Sequence, residues 1–424
     1  MGPTTQLRCA DCSAVASLDL RDFTCECGGL FDVEHQVERF SREYFDERYG
    51  AFDSPTRSGV WRFRELVHPT LPVESIASLD EGRTPLYDSA SIATYAGLDS
   101  VWIKHEGLNP TGSFKDRGMT VAVSQAKAVG ATHVVCASTG NTAASMSAFA
   151  AISGLEAVVL VPADATALGK LSQSVAYGAR VIRIQGDFDA GMTLVREHAE
   201  QLGLYVVNSL NPFRVEGQKT IVFDMLQQLR WNAPDWIVFP AGNLGNAAAF
   251  GKAIREALAQ GWIDRAPRLL AVQAHGAAPF EHSFRANFES LKPVHAETLA
   301  TAIKIGAPVS FKRAVRSLTE TNGVVLAVDD NAILDAKAVV DAAGIGAEPA
   351  SCASVAGVKS AVASGLIAKG ERCVCLLTGN LLKDPEATLA YHDELLKGIN
   401  AKRANRPVSI PATRDALAGV LRGA

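Results

Sequence analysis

Asn109-Pro110-Thr111-Gly112-Ser113-Phe114-Lys115-Asp116-Arg117-Gly118 is the stretch on which the reading of this chain turns. Asn-Pro and Thr-Gly mark a turn. Ser113 is a suitable helix N-cap, and residues 116–129 carry helical spacing. Lys115 is therefore expected in the first turn of a helix. The positive end of the helix dipole disfavours an ammonium there. That favours the neutral amine, the form that adds to an aldehyde. The other reading is a surface lysine paired with Asp116.

On either side, short apolar runs alternate with helical patterns. Strands are expected at 101–104, 133–136, 156–161, 180–184, 205–208, 236–239, 268–273, 323–328 and 372–377. Helices are expected at 116–129, 142–152, 167–177, 189–202, 217–229 and 246–259, with another within 39–48. Such alternation implies an α/β fold with parallel sheets flanked by helices. No short-period internal repeat is present.

The 424 residues are 48% hydrophobic and 20% charged, enough apolar material for two or three domains. Net charge is −4 with no Lys/Arg run, which argues against nucleic-acid and anionic-membrane partners and for small molecules. No apolar stretch is long enough to span a bilayer, and the start of the chain lacks a signal pattern. A cytoplasmic protein is expected.

Four of the eight cysteines cluster at the front: Cys9-x2-Cys12, then Cys25-x-Cys27. Paired cysteines on two tight turns are how a tetrahedral zinc site is assembled. The second pair is one residue shorter than the usual knuckle, so a ribbon that folds without metal is the alternative. Cys136, Cys352, Cys373 and Cys375 read as buried thiols.

Four further segments carry chemistry. Ser138-Thr139-Gly140-Asn141-Thr142 follows a strand and opens an Ala-rich helix, where free N–H groups bind anions such as a carboxylate. Gly242-Asn243-Leu244-Gly245-Asn246 also joins a strand to a helix, and two glycines let its amides curl around a phosphate. It matches neither the Gly-x4-Gly-Lys P-loop nor the dinucleotide Gly-x-Gly-x-x-Gly pattern. Asn208-Ser209-Leu210-Asn211-Pro212-Phe213-Arg214 reads as a loop before a helix, with Arg214 able to clamp a phosphate or pair with Glu216. Thr378, at a strand end, could face a cofactor ring nitrogen. Ordinary capped turns remain open for the first two. Of the nine histidines, only His275 stands beside a strand end in a way worth following.

In this order, the segments resemble the threonine synthase family of fold-type II pyridoxal-phosphate (PLP) enzymes. The likeness runs from Gly82-Arg83-Thr84-Pro85-Leu86 to Leu382-Lys383-Asp384-Pro385. It is carried most specifically by the Lys115 segment and by the run from Asn211 to Thr220. Thr301-Ala302-Ile303-Lys304-Ile305-Gly306 and Glu348-Pro349-Ala350-Ser351 add to it.

The resemblance implies that Lys115 carries PLP as a Schiff base and shuttles protons. It implies that Asn141 meets the ring hydroxyl and that Thr378 meets the ring nitrogen. Gly242, Asn243, Leu244, Gly245 and Asn246 would hold the cofactor phosphate. Ser138, Thr139 and Thr142 would meet the substrate carboxylate, and Asn208, Ser209 and Arg214 the leaving phosphate of O-phosphohomoserine. It also implies a homodimer. Its domains would be a zinc-ribbon-like segment (1–35), an arm (36–80), a large PLP-binding domain (81–117 and 209–424) and a small mobile domain (118–208).

Ala307-Pro308, Asn380-Leu381 and Ala347 depart from the family pattern. Related enzymes act on O-phosphoserine or dehydrate serine and threonine, and both remain alternatives. So does a non-catalytic binding protein on the same fold.

Overall fold

The computed structural model describes residues 2–21, 23–163, 171–185, 193, 195, 198–199 and 201–422. Its first three strands are β1 (Thr4–Cys9), β2 (Val15–Ala16) and β3 (Phe31–Gln36). They form a small antiparallel sheet in the order β2-β1-β3, with Cys9 opposite Phe31. In chain order there follow β4 (Leu86–Asp88), β5 (Val101–His105), β6 (His133–Ala137), β7 (Glu156–Pro162), β8 (Arg180–Ile184) and β9 (Leu204–Val206). The remaining strands are β10 (Trp236–Pro240), β11 (Arg268–Ala274), β12 (Val324–Val328) and β13 (Cys373–Leu377).

Strands β6 to β9 make a parallel sheet in the order β8-β7-β6-β9. The others make a six-stranded sheet, β12-β11-β10-β13-β5-β4, parallel except at the β4 edge. Every residue of Trp236–Pro240 and Cys373–Leu377 is buried. Continuous apolar runs are what a parallel sheet covered on both faces requires. The four cysteines outside the N-terminal cluster are buried free thiols, as expected.

All nine expected strands are present with ends within two residues. Helices Lys115–Ala128, Asn141–Ser153 and Gly245–Gln260 each start one residue earlier than expected, and Arg42–Tyr49 falls near its expected place. Ser113 is not a side-chain cap in the expected sense. Phe114 stands at the helix boundary, and the Ser113 hydroxyl accepts from Lys115 N–H at 3.4 Å. The helix expected at 217–229 spans Phe213–Gln228, so Arg214 sits on its first turn rather than on a loop. Pro212 opens that helix with its fixed φ, and Gly217 lies in its interior. The reason for Gly217 is contact: a Cβ there would lie 1.7 Å from the Arg117 carbonyl oxygen of the neighbouring helix. Most of the expected helix at 189–202 and residues 167–170 of that at 167–177 lie outside the described residues; within the latter range Ser172–Ala176 is helical.

Beneath this helix pair lies a fully buried ionic cluster. The Asp224 carboxylate accepts from Lys104 Nζ at 2.9 Å, from Arg117 Nη2 at 2.7 Å and from Arg62. Arg117 also grips Glu106 through Nε and Nη2, both at 2.7 Å. Asn109 Nδ2 donates to the same carboxylate at 2.8 Å. Two residues of the Lys115 segment are thus anchors for the turn that carries it.

Between β3 and β4 the chain packs against the Lys115 helix, where Trp61 Nε1 donates to Thr120 at 2.7 Å. The N-terminal sheet docks through Asp32 to Arg313 and Arg316, and through His35 to Glu216 at 3.1 Å. Among the described residues no helix is long and apolar enough to cross a membrane.

Candidate active site

The carboxyl ends of β5, β6, β9, β10 and β13 point toward one cleft between the two parallel sheets, where ligands collect in open α/β folds. Its volume is about 1190 Å³. Lys115, Asn141, Thr378 and residues 242–246 all line it. So do Ser138, Thr139, Thr142, Asn208, Ser209 and Arg214. Residues scattered from position 115 to 378 converge on one space. His275 does not join them and is exposed.

Lys115 opens its helix and is half-buried in the cleft wall. Asp116 does not pair with it. That carboxylate accepts from Thr111 N and Oγ1 at 2.7 and 2.6 Å and from Ser145 at 2.6 Å, closing the turn. Among the described residues Lys115 Nζ has no hydrogen-bond partner; it lies 4.2 Å from the centre of the Phe114 ring. Loss of solvent, then repulsion from Arg214, pulls the Lys115 amine down to about 7, against a smaller opposing pull from Glu348.

Arg214 is buried and does not pair with Glu216, which goes instead to His35, Lys219 and Lys252. Its Nη1 donates to the Val207 carbonyl at 3.2 Å, and among the described residues its Nε has no partner. Burial lowers it to about 10. No carboxylate among the described residues neutralises it. Lys115 and Arg214 thus make the cleft attractive to anions. Asn208 acts locally on the backbone. Its amide exchanges two hydrogen bonds with Ala137, at 3.1 and 3.2 Å, which ties the loop after β9 to β6.

The turn at 242–246 is held by Asn243, which donates to Ser209 Oγ at 2.8 Å and accepts from Val309 N at 2.6 Å. Leu244 adopts φ +64, a strained left-handed conformation for a branched residue. It leads directly into the helix start at Gly245, where backbone N–H groups are unpaired. Asn246 Oδ1 is buried without a partner.

On the opposite wall Thr378 Oγ1 lies 2.9 Å from Ser351 Oγ. Asn141 Nδ2 reaches both oxygens of Glu348 at 3.3 Å. Burial raises the Glu348 carboxyl above its ordinary range. Gly379 makes room for it, since a Cβ there would lie 2.3 Å from Glu348 Oε1. Sequence reading attached no role to Glu348 or Ser351. They are more than 200 residues from their partner Asn141 or belong to a different segment from Thr378, so only the fold brings them together.

A family profile described as "Pyridoxal-phosphate dependent enzyme" matches residues 77–379. This chain belongs to that family. Within it, threonine synthase of Methanocaldococcus jannaschii is 42% identical over 392 residues, covering 92% of this chain and 96% of that protein. Threonine synthase 2, chloroplastic, of Arabidopsis thaliana is 37% identical, covering 96% and 82%. Among solved structures, maize serine racemase aligns with a TM-score of 0.63 at 20% identity, covering 80% of this chain and 97% of that one. The processed threonine deaminase isoform 2 of Solanum lycopersicum gives 0.62 at 21%, covering 76% and 87%. Both support the family's fold, called fold type II.

The cleft fits the family's cofactor. It offers an amine with no partner, a glycine-bearing helix start for a phosphate, and unpartnered polar atoms at Asn246 and Arg214. A depressed lysine has a direct consequence. Above about 7 the neutral amine dominates, and below it the ammonium does. Reconstitution of apoprotein with PLP is expected to slow about tenfold per pH unit on the acid side of that value. Stopped-flow absorbance, taken at roughly unit pH steps on both sides of neutrality, measures this. A rate still climbing steeply toward the ordinary lysine range would contradict the burial of Lys115.

Proposed function

We propose that this chain is a cytoplasmic, homodimeric threonine synthase that converts O-phospho-L-homoserine and water to L-threonine and phosphate. The observation that carries this reading is Arg214, a buried guanidinium facing the cleft with an unpartnered Nε and no neutralising carboxylate among the described residues. A dehydratase of plain serine or threonine needs no such group. A substrate that leaves as phosphate does.

In this reading PLP, when bound, supplies the electron sink that stabilises negative charge on the substrate carbons. Lys115 Nζ would attach the cofactor, and as a free amine it would hold and move the proton at the substrate carbons. The N–H groups of residues 242–246 hold the cofactor phosphate. Asn141, itself held by Glu348, binds the ring hydroxyl. Thr378 takes the ring nitrogen; its hydroxyl, steadied by Ser351, does not force that nitrogen to stay protonated.

Ser138, Thr139 and Thr142 receive the substrate carboxylate at the start of their helix. Arg214 and Ser209 hold the leaving phosphate, with Asn208 fixing the loop between them. The sheet β8-β7-β6-β9 would belong to the small domain, whose closure over the cleft would exclude bulk water. The test is incubation of holoenzyme with O-phosphohomoserine. Equal amounts of threonine and phosphate are expected. Turnover of O-phosphoserine with none of O-phosphohomoserine would replace this reading with the β-replacement alternative.

We also propose a structural zinc at Cys9, Cys12, Cys25 and Cys27. Cys9 and Cys27 sulfurs lie 3.5 Å apart, Cys12 and Cys25 sulfurs 3.6 Å, and all four fall within 4.8 Å. Four thiolates at about 2.3 Å from zinc would be spaced about 3.8 Å apart. Metal analysis is expected to find about one zinc per chain, lost in the Cys12→Ser/Cys25→Ser protein. Equal zinc in both proteins would rule the site out.

A further inference from the structure

Gln218 belongs to the Asn211–Thr220 run, yet no role above uses it. It lies one helical turn after Arg214, so the two side chains share a face of the helix Phe213–Gln228. Both line the cleft. Gln218 is only 3% exposed, and among the described residues its carboxamide makes no hydrogen bond. Its hydrogen-bonding capacity is therefore left for what the cleft holds.

Its surroundings explain the lack of a partner. Nε2 lies 3.0 Å from where a Cβ of Gly118 would stand, and Oε1 lies 3.3 Å from where a Cβ of Gly245 would stand. Two glycines flank it and neither brings a side chain. Gly245 is the first residue of the helix whose N–H groups face the cleft. The carboxamide therefore reaches from the Gly118 backbone to the Gly245 helix start, one helical turn from Arg214, whose Nε is also unpartnered among the described residues. Its O and N ends can exchange by rotation, so an N–H can face the helix start.

We infer that Gln218 is a binding residue, donating from its carboxamide to a phosphate monoester held between Arg214 and the Gly245 turn. This deepens the proposed function, on which it rests only for the identity of the substrate. The phosphate could be that of the cofactor or that of the substrate, since the two sites adjoin here.

Two constants separate the sources: PLP affinity of the apoprotein, and inorganic phosphate affinity of the holoenzyme, read by calorimetry. Gln218→Leu is expected to weaken one of them by about tenfold, the loss of one hydrogen bond to a charged group. Gln218→Glu, of the same size, is expected to weaken it further by setting a carboxylate against the anion. A loss confined to phosphate identifies the substrate's group, and a loss confined to PLP identifies the cofactor's. Circular dichroism and thermal midpoint check that each variant folds, and Gln218→Glu serves if Gln218→Leu does not. If both constants stay within about twofold of the parent in a folded variant, Gln218 merely fills space and the inference is overturned. Threonine formation by the unaltered enzyme is scored separately, so failure of the proposed reaction is not confused with failure of this contact.

Discussion

Lys115→Ala is expected to lower kcat for threonine formation by on the order of 10³-fold or more, since it removes both the attachment point and the proton-transfer group. The protein should still fold. The Lys115 side chain makes no hydrogen bond or ion pair among the described residues, and its helix is held by Arg117 and Asp116 rather than by that side chain. The visible absorbance of lysine-linked PLP should disappear, while some cofactor remains bound through the turn at 242–246. Lys115→Arg should be equally inactive, because a guanidinium stays protonated and cannot add to the aldehyde. Activity within about tenfold of the parent in a homogeneous Lys115→Ala preparation would require another base and would remove Lys115 from the mechanism.

Asp224→Ala is expected to be the most damaging change to stability. Asp224 is the one carboxylate shared by Arg62, Lys104 and Arg117, and all four side chains are fully buried. Removing it leaves three cations in the core with only Glu106 nearby. Breaking a buried ion pair by deleting one partner costs about 3–5 kcal/mol. The three cations outweigh the burial that would otherwise raise it, and they hold the Asp224 carboxyl far below its ordinary range. Its stabilising charge is therefore present above the unfolded carboxylate value and is lost only as pH falls through the much lower folded one. Urea denaturation followed by tryptophan fluorescence measures the effect, because Trp61 and Trp236 are both buried. A midpoint unchanged from the parent would mean that the cluster contributes nothing net.

The same cluster shows what the sequence could and could not disclose. Local signals were enough for the strands, because buried parallel strands are short apolar runs bounded by turns. They were enough for the Lys115 turn and for the two strand-to-helix loops at 138–142 and 242–246, whose small residues announce a close backbone approach. They failed where a residue's meaning depends on a distant partner. Arg117 and Asn109 look like part of a catalytic signature, yet their side chains grip Glu106. Glu216 looks like a partner for Arg214, two positions away on the same helix. It points instead to His35 in the N-terminal sheet. Arg214 and Glu216 both lie on the helix Phe213–Gln228, where a separation of two residues puts side chains on different faces, so the pair does not form. Gly217 is the first residue of the helix expected from the sequence. In the fold it is the point where two helices touch, and only the neighbouring backbone reveals that. Glu348 and Ser351 could not have been assigned roles from the sequence alone, since Asn141 and Thr378 meet them only once the chain has folded.

The account as a whole depends on which amine carries the cofactor. Holoenzyme reduced with borohydride, digested and mapped by mass spectrometry answers that directly. The predicted result is one phosphopyridoxyl group per chain, on the peptide containing Lys115, with reduction abolishing activity. A label on Lys104, Lys219 or Lys383 instead, or a protein that takes up no label after saturation with PLP, would contradict it.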